Sequence, residues 1–443
     1  MSVVLRTLLA CSVAASLSAA TLFENARVIV DARQAPLENA SLLVDRGRVS
    51  KVGKKGSFKI PGGATRVDLA GKTVMPALID PHVHLGYQKD ATYSVNNFTH
   101  ENAIDQLNRY AYVGVAAVLS MGTDIGNLPF QVREDQDAGK VGGALWFTAG
   151  RGMAAPNAGP GNAELKPSAY ALNTPDEARQ AVREQIARHV AVIKVWVDDR
   201  NGTVAKTPPE IYSAIIDEAH RLGTRVVAHV YYLDDAKGLL RDGVDAFAHL
   251  VRDREMDDET IALIKQRGVY VMPNLGLAES RTYVNPPAWL DEPLFKETTP
   301  PAIAERIRAQ YTGRPAPATE AAKTTYRVMQ RNLAKLNAAG VQIGFGADSG
   351  AVPDYFHGFN THRELQLMVE AGMTPAQALT AVTAGSAAFL KMDDHGTLAP
   401  GKAADFVVLD GNPLEDISNT RRIARVYRKG QEVDRAALRA SFK

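Results

Sequence analysis

Ile79-Asp80-Pro81-His82-Val83-His84 sets two imidazoles one residue apart at the end of an apolar run that begins at Val74. On a strand, residues i and i+2 share a face, so His82 and His84 point the same way and offer half of a metal site. A buried strand that ends in such polar groups fits an α/β barrel, which builds its chemistry at the C-terminal ends of its strands. Two surface histidines near a turn would give the same short motif.

Further along, the chain repeats this design. Lys194 lies inside Val190-Ala-Val-Ile-Lys-Val-Trp-Val197, a nearly continuous apolar run of the kind shown by a parallel strand covered on both faces. A buried lysine is rare unless it is paired or functional, the alternative being an edge lysine that snorkels to water. His229 ends Thr224-Arg-Val-Val-Ala-His229, and His249 ends Val244-Asp-Ala-Phe-Ala-His249. Each run follows a helical pattern and a glycine, and the repetition argues for a shared role over two separate core histidines. Asp348 follows Val341-Gln-Ile-Gly-Phe-Gly-Ala347 at one more strand end, where it would also suit a helix N-cap.

With these six residues the chain resembles the amidohydrolase superfamily. The resemblance extends through the entry phrase from Met75 to His84, the Gly346-Ala-Asp-Ser-Gly350 segment, the helix start from Met373 to Leu379 and the tail from Gly396 to Asp410. Within the superfamily it is most similar to the binuclear branch that holds imidazolonepropionase-related proteins, prolidase-like dipeptidases and ochratoxin-type amidases. The resemblance implies that His82, His84 and Asp348 bind one divalent metal, zinc being the expected ion, and that His229 and His249 bind a second. It also implies a carboxylated Lys194 bridging the two. Imidazole and carboxylate suit zinc, whereas an ammonium cannot bind a cation, so Lys194 must first lose its proton and take up carbon dioxide. Burial among Val192, Val195 and Trp196 favours that loss. Two neighbouring metals would share a hydroxide formed near neutral pH, the expected nucleophile.

Composition agrees with one large catalytic domain. The chain has 443 residues, 45% hydrophobic and 23% charged, enough for a barrel of about 250 residues with additions. Lys plus Arg number 51 against 49 Asp plus Glu, so no basic nucleic-acid footprint is present. No later segment is apolar for long enough to span a membrane. Residues 1–20 read as a secretory leader: Arg6, an apolar run from Leu8 to Leu17, then Ser18-Ala-Ala20, with Thr21 starting the mature chain in the periplasm or outside the cell. Leu8-Leu-Ala-Cys11 loosely fits a lipid-attachment box instead. The single cysteine, Cys11, falls inside that leader, so disulfides have no part in the mature protein.

The expected fold class is α/β, a (β/α)8 TIM barrel over residues 76–395 with a small β-sandwich formed by residues 21–75 and 396–443. Runs such as Ala26-Arg-Val-Ile-Val30 and Asp405-Phe-Val-Val-Leu409 supply the sandwich strands, and helical patterns over 175–189, 209–222 and 257–267 supply the barrel's alternation. Residues 275–340 are proline-dense and too long for a bare loop. They read as a lid over the active face or a contact for another subunit, with 316–339 as the barrel's own helix.

Several residues beyond the strand ends are candidates for holding substrate. Arg252 and Tyr231 lie two or three residues past a histidine, and Arg151 follows the third strand. Arginine grips a carboxylate through its planar fork, though Arg252-Asp-Arg-Glu255 also reads as a solvated salt-bridge cluster and Tyr231 as a packing residue. Tyr232 follows Tyr231 at the same mouth, while His357 and His362 read as supporting or surface groups. The stretches Trp196-Val-Asp-Asp199 and Arg252 to Glu255 depart from those of close dipeptidases or ochratoxin amidases. The expected activity is hydrolysis of an amide bond in a small dipeptide or N-acyl amino acid, with Asp348 as general base and then acid. Alternatives on the same scaffold are a cyclic amide or lactone hydrolase, a phosphotriester hydrolase and a mononuclear deaminase; outside enzymes, a secreted binding protein. The resemblance also implies a homo-oligomer.

Overall fold

A computed structural model describes residues 20–443 of the chain. Residues 1–19 of the expected leader, Cys11 among them, lie outside the described residues. At the N-terminus, Thr21–Val28 pairs antiparallel with Leu37–Asp45, which pairs with Arg48–Lys54. On its other side Thr21–Val28 runs parallel to Thr65–Asp68 and Thr73–Pro76. The C-terminal strand Phe406–Leu409 pairs antiparallel with Thr73–Pro76 and carries Ile423–Arg428 on its far edge. The two ends of the chain, expected to pair into a small β-sandwich, share one mixed sheet of eight strands.

The period of two divides this sheet's side chains between two cores. Phe406 and Val408 join Phe23, Leu42, Val74 and Tyr427 in a small apolar cluster. Phe23, Phe406 and Tyr427 form its centre, with ring centroids 4.6 to 5.0 Å apart. The alternate residues Val407 and Leu409 join the main core of the catalytic region.

The catalytic region is built on parallel strands. Leu78–Val83, Val115–Ser120 and Leu145–Thr148 form one run, and Ile193–Val197, Val226–Val230, Ala246–Ala248 and Tyr270–Met272 form another. They are short, nearly all buried and rich in Val and Ala, as strands covered on both faces are. Between them lie the expected helices, Pro175–Ala187 with a Thr174/Glu177 capping box, Pro209–Arg221, and Asp258–Arg267 between the Asp257 N-cap and Gly268.

The assigned strands do not close into a barrel. The expected strand at Val341–Ala347 is reduced to isolated parallel bridges, Val271 with Ile343 and Val83 with Ser349. The backbone still bonds on both sides, Gly344 N to Val271 O at 2.9 Å and Asp348 N to His82 O at 2.8 Å. Glycine is the reason for this irregular, close passage: a Cβ at Gly346 would lie 2.6 Å from His82 Cβ. At the other gap, Ala191 N donates to Thr148 O at 2.8 Å.

Residues 275–340 are mostly helical. They hold Leu275–Glu279, Pro293–Thr298, Pro301–Tyr311 and the 23-residue helix Ala316–Ala338. An aromatic cluster fastens the segment to the helix Phe359–Glu370, with Trp289 stacked on Phe359 at 5.5 Å and Phe295 against both. No helix among the described residues is long and apolar enough to cross a membrane.

Candidate metal and hydrolytic site

Lys194, from within the strand Ile193–Val197, lines one cavity of about 390 Å³ together with His82, His84, His229, His249 and Asp348, which lie at or just past the C-terminal ends of strands or bridged segments. All six are buried. Asp348 Oδ1 sits 3.0 Å from His84 Nε2 and 3.3 Å from His82 Nε2, and its Oδ2 is 4.0 Å from His249 Nδ1. Oδ1 nevertheless receives no hydrogen bond of acceptable geometry, and His82 Nδ1 has no partner either. His249 and Asp348 both take positive φ, 94° and 60°, a conformation uncommon for residues that carry a side chain.

Neighbouring groups orient two of the rings. His84 Nδ1 lies 2.8 Å from Thr123 Oγ1, so a proton held there leaves the Nε2 lone pair facing Asp348. His229 Nε2 lies 3.1 Å from Asp198 Oδ2, which would leave Nδ1 as the free donor atom. Asp198 is itself held by Arg200 at 2.8 Å. Beneath the site, Asp80 accepts from the backbone N–H groups of His82 (3.3 Å) and Ala347 (3.1 Å) and from Thr361 Oγ1 (2.8 Å). It ties the His82 strand to the Asp348 segment. Burial pushes its carboxyl up to about 7 against those three hydrogen bonds.

Charge states suit cation binding. Burial holds His82, His229 and His249 below the ordinary imidazole value, so they stay neutral donors at pH 7. Burial opposes ionisation of Asp348, but the adjacent His82, His84 and Lys194 outweigh it and keep the carboxylate below its usual range. Lys194 comes down from 10.5 to about 7; burial is the main cause, opposed by Asp348 and assisted by Arg252 and Arg200. Among the described residues its ammonium makes no hydrogen bond or ion pair, and the Trp196 ring centre lies 5.5 Å away. Ligand atoms of His82, His249 and Asp348 fall within 4.8 Å of one another, a trio that draws from both of the expected ligand sets.

The substrate-side expectations divide. Tyr231 and Arg252 line the cavity, with the guanidinium carbon 5.2 Å from the Tyr231 ring centre. The salt-bridge reading fits Arg254, paired with Asp234, and Glu255, paired with Arg331 and Lys335, but not Arg252, which has no ion pair among the described residues. Arg151 is not brought to the cavity. Its guanidinium donates to the carbonyls of Ser168 and Ala169 and stacks on Tyr170 at 4.1 Å, fastening a loop. Tyr232 points to Asp199, donating at 2.8 Å. His357 and His362 are buried away from the cavity, His357 beside Tyr110 OH and His362 on Val113 O, so neither is a surface group.

Sequence reasoning passed over Asp198, Arg200 and Arg281, all of which line the cavity. For the first two a signal existed: Lys194, Trp196, Asp198 and Arg200 are spaced by two and line the cavity together. Arg281 comes from residues 275–340, as does Leu277, so part of that segment forms a wall of the site.

Residues 73–433 match the model of the amidohydrolase family. The chain belongs to that family. This amidohydrolase is 27% identical to the ochratoxinase of Aspergillus niger over 435 aligned residues, spanning 89% of this chain and 83% of that protein. It is 24% identical to the imidazolonepropionase of Streptomyces avermitilis, over 90% and 87% of the two chains. The crystal structure of a candidate prolidase from Bifidobacterium longum superposes with a TM-score of 0.74 at 27% identity, over 95% of this chain and 98% of the other. Membership places the protein among hydrolases of carbon–nitrogen bonds.

Proposed function

We propose that this amidohydrolase is a binuclear metal-dependent enzyme that cleaves the amide bond of a small dipeptide or N-acyl amino acid, on one (β/α)8 barrel formed by its two runs of parallel strands. The observation that carries the reading is the buried Lys194 beside four histidines and Asp348, a lysine without any anionic partner within ion-pair distance among the described residues. The donor set fits divalent ions, because lone pairs of His82, His84 and Asp348 converge at 3.0 to 3.3 Å without a proper hydrogen bond to Asp348 Oδ1. His82, His84 and Asp348 would hold one ion, His229 and His249 the other, with His249 near enough to Asp348 to bring the two sets together. Divalent ions in such a pocket polarise a carbonyl and acidify water.

The chain's own residues do the remainder. Lys194, partly neutral at pH 7, adds through Nζ to the carbon of carbon dioxide and gives up a proton to solvent, becoming a carbamate with two oxygen donors. Asp348 holds the proton of the attacking water at a carboxylate oxygen and delivers it to the leaving nitrogen. Arg252 and Tyr231 orient a substrate carboxylate next to the scissile bond. The test joins metal analysis to turnover: two ions per chain, with hydrolysis of dipeptides or N-acyl amino acids by the zinc-loaded protein, are expected. One ion with deamination, or none with tight binding and no turnover, would refute the reading.

A further inference from the structure

The cavity is lined by more cationic than anionic side chains. Its carboxylates, Asp198 and Asp348, are engaged by Arg200 and His229 and by the histidines respectively. Arg252 and Arg281 line the same cavity, and neither has a carboxylate within 4.0 Å among the described residues. Arg252 makes one long hydrogen bond, 3.4 Å to Val230 O, and its buried Nε has no partner. Arg281 makes no side-chain hydrogen bond among the described residues, and Asp354, which feels its charge, pairs with Arg314 at 3.5 Å. Burial first, and then the neighbouring charge of Arg281, bring the Arg252 guanidinium down from 12.5 to about 10. Two unpaired guanidiniums lining one cavity repel each other, and a ligand with two negative charges can answer both at once.

Resting on the amide-hydrolase reading above, we propose that the leaving group is an acidic amino acid, aspartate or glutamate, whose α-carboxylate pairs with Arg252 and whose side-chain carboxylate pairs with Arg281. The two cations belong to different parts of the chain: Arg252 to the loop after the His249 strand, Arg281 to the segment over residues 275–340. Arg252 is half-buried and Arg281 exposed, so the former suits the carboxylate near the scissile bond and the latter the one that reaches toward the mouth. Arginine suits both places because its fork binds a carboxylate through two parallel hydrogen bonds.

N-acetylglutamate and N-acetylglutamine have nearly the same shape and the same α-carboxylate, and differ in the side-chain charge alone. The zinc-loaded enzyme should hydrolyse the glutamate form with a kcat/KM about five- to tenfold higher, as befits a charge-assisted contact at a partly solvated site. In Arg281→Gln that ratio should fall to about one. Calorimetric binding of free glutamate and glutamine gives a second reading that needs no turnover, and glutamate should bind more tightly by a similar factor. Equal turnover of the two substrates, or a preference that survives Arg281→Gln, overturns this assignment while amide hydrolysis stands. Tighter glutamate binding with no hydrolysis of any N-acyl amino acid or dipeptide supports the anion site and overturns the reading beneath it.

Discussion

Replacing Lys194 with methionine should make the metal-free protein more stable and leave it inactive. Lys194 is fully buried, and burial brings its ammonium from 10.5 in the open chain to about 7 in the fold. Between those values the unfolded chain binds a proton that the folded chain gives up, so stability rises with pH across this window. The penalty is present in full below pH 7 and disappears above 10.5. Linkage between the two values amounts to about 4 kcal/mol at pH 7 and about 2 kcal/mol at pH 9. Methionine keeps the length of the stem and has no proton to lose, so Lys194→Met should exceed the wild type by about those amounts. Urea denaturation of both proteins at pH 7 and pH 9, stripped of metal and in buffer free of carbon dioxide, measures the gap. A variant no more stable than wild type at pH 7, or a gap that does not narrow at pH 9, would refute the argument that Lys194 is held against its own solvation. Restoring metal and carbon dioxide should reverse the ranking, because the proposed carbamate can form on Lys194 and not on methionine.

Arg252→Met should lower kcat/KM for free-acid substrates by about ten- to a hundredfold, the worth of one charge-assisted contact, and should leave carboxyl-amidated substrates nearly unaffected; wild-type turnover that ignores amidation would discard the carboxylate grip. Gly122→Ala should destabilise the protein by more than roughly 1–3 kcal/mol, the usual cost of a strained backbone alone, because Gly122 has φ of 87° and a Cβ there would lie 2.6 Å from Lys194 Cγ. Unfolding at wild-type urea concentrations would show that the Lys194 strand has room to yield. We also propose export directed by the N-terminal leader, for which sequencing of protein from its native host should begin at or near Thr21; an intact Met1 on the soluble cytoplasmic protein would contradict it.

What could be read from the sequence follows from how each residue type reports its surroundings. His82, His84, Lys194, His229, His249 and Asp348 were legible as candidates because a polar group within or at the end of an apolar run conflicts with its neighbours, and the conflict recurs at regular places along the chain. Arg151 misled because a position after a strand does not give the direction of a long side chain. The carbonyls of Ser168 and Ala169 and the face of Tyr170 capture it before it reaches the cavity. Arg281 was invisible for the opposite reason: it approaches the site from residues 275–340, a segment that follows no strand alternation and is fastened by the Trp289, Phe295 and Phe359 cluster. The groups proposed to carry the chemistry thus lie on apolar runs with a readable period, while the group proposed to select the substrate lies on an insertion with none. That division makes it possible for such a scaffold to change substrate through residues 275–340 without disturbing the His, Lys and Asp set.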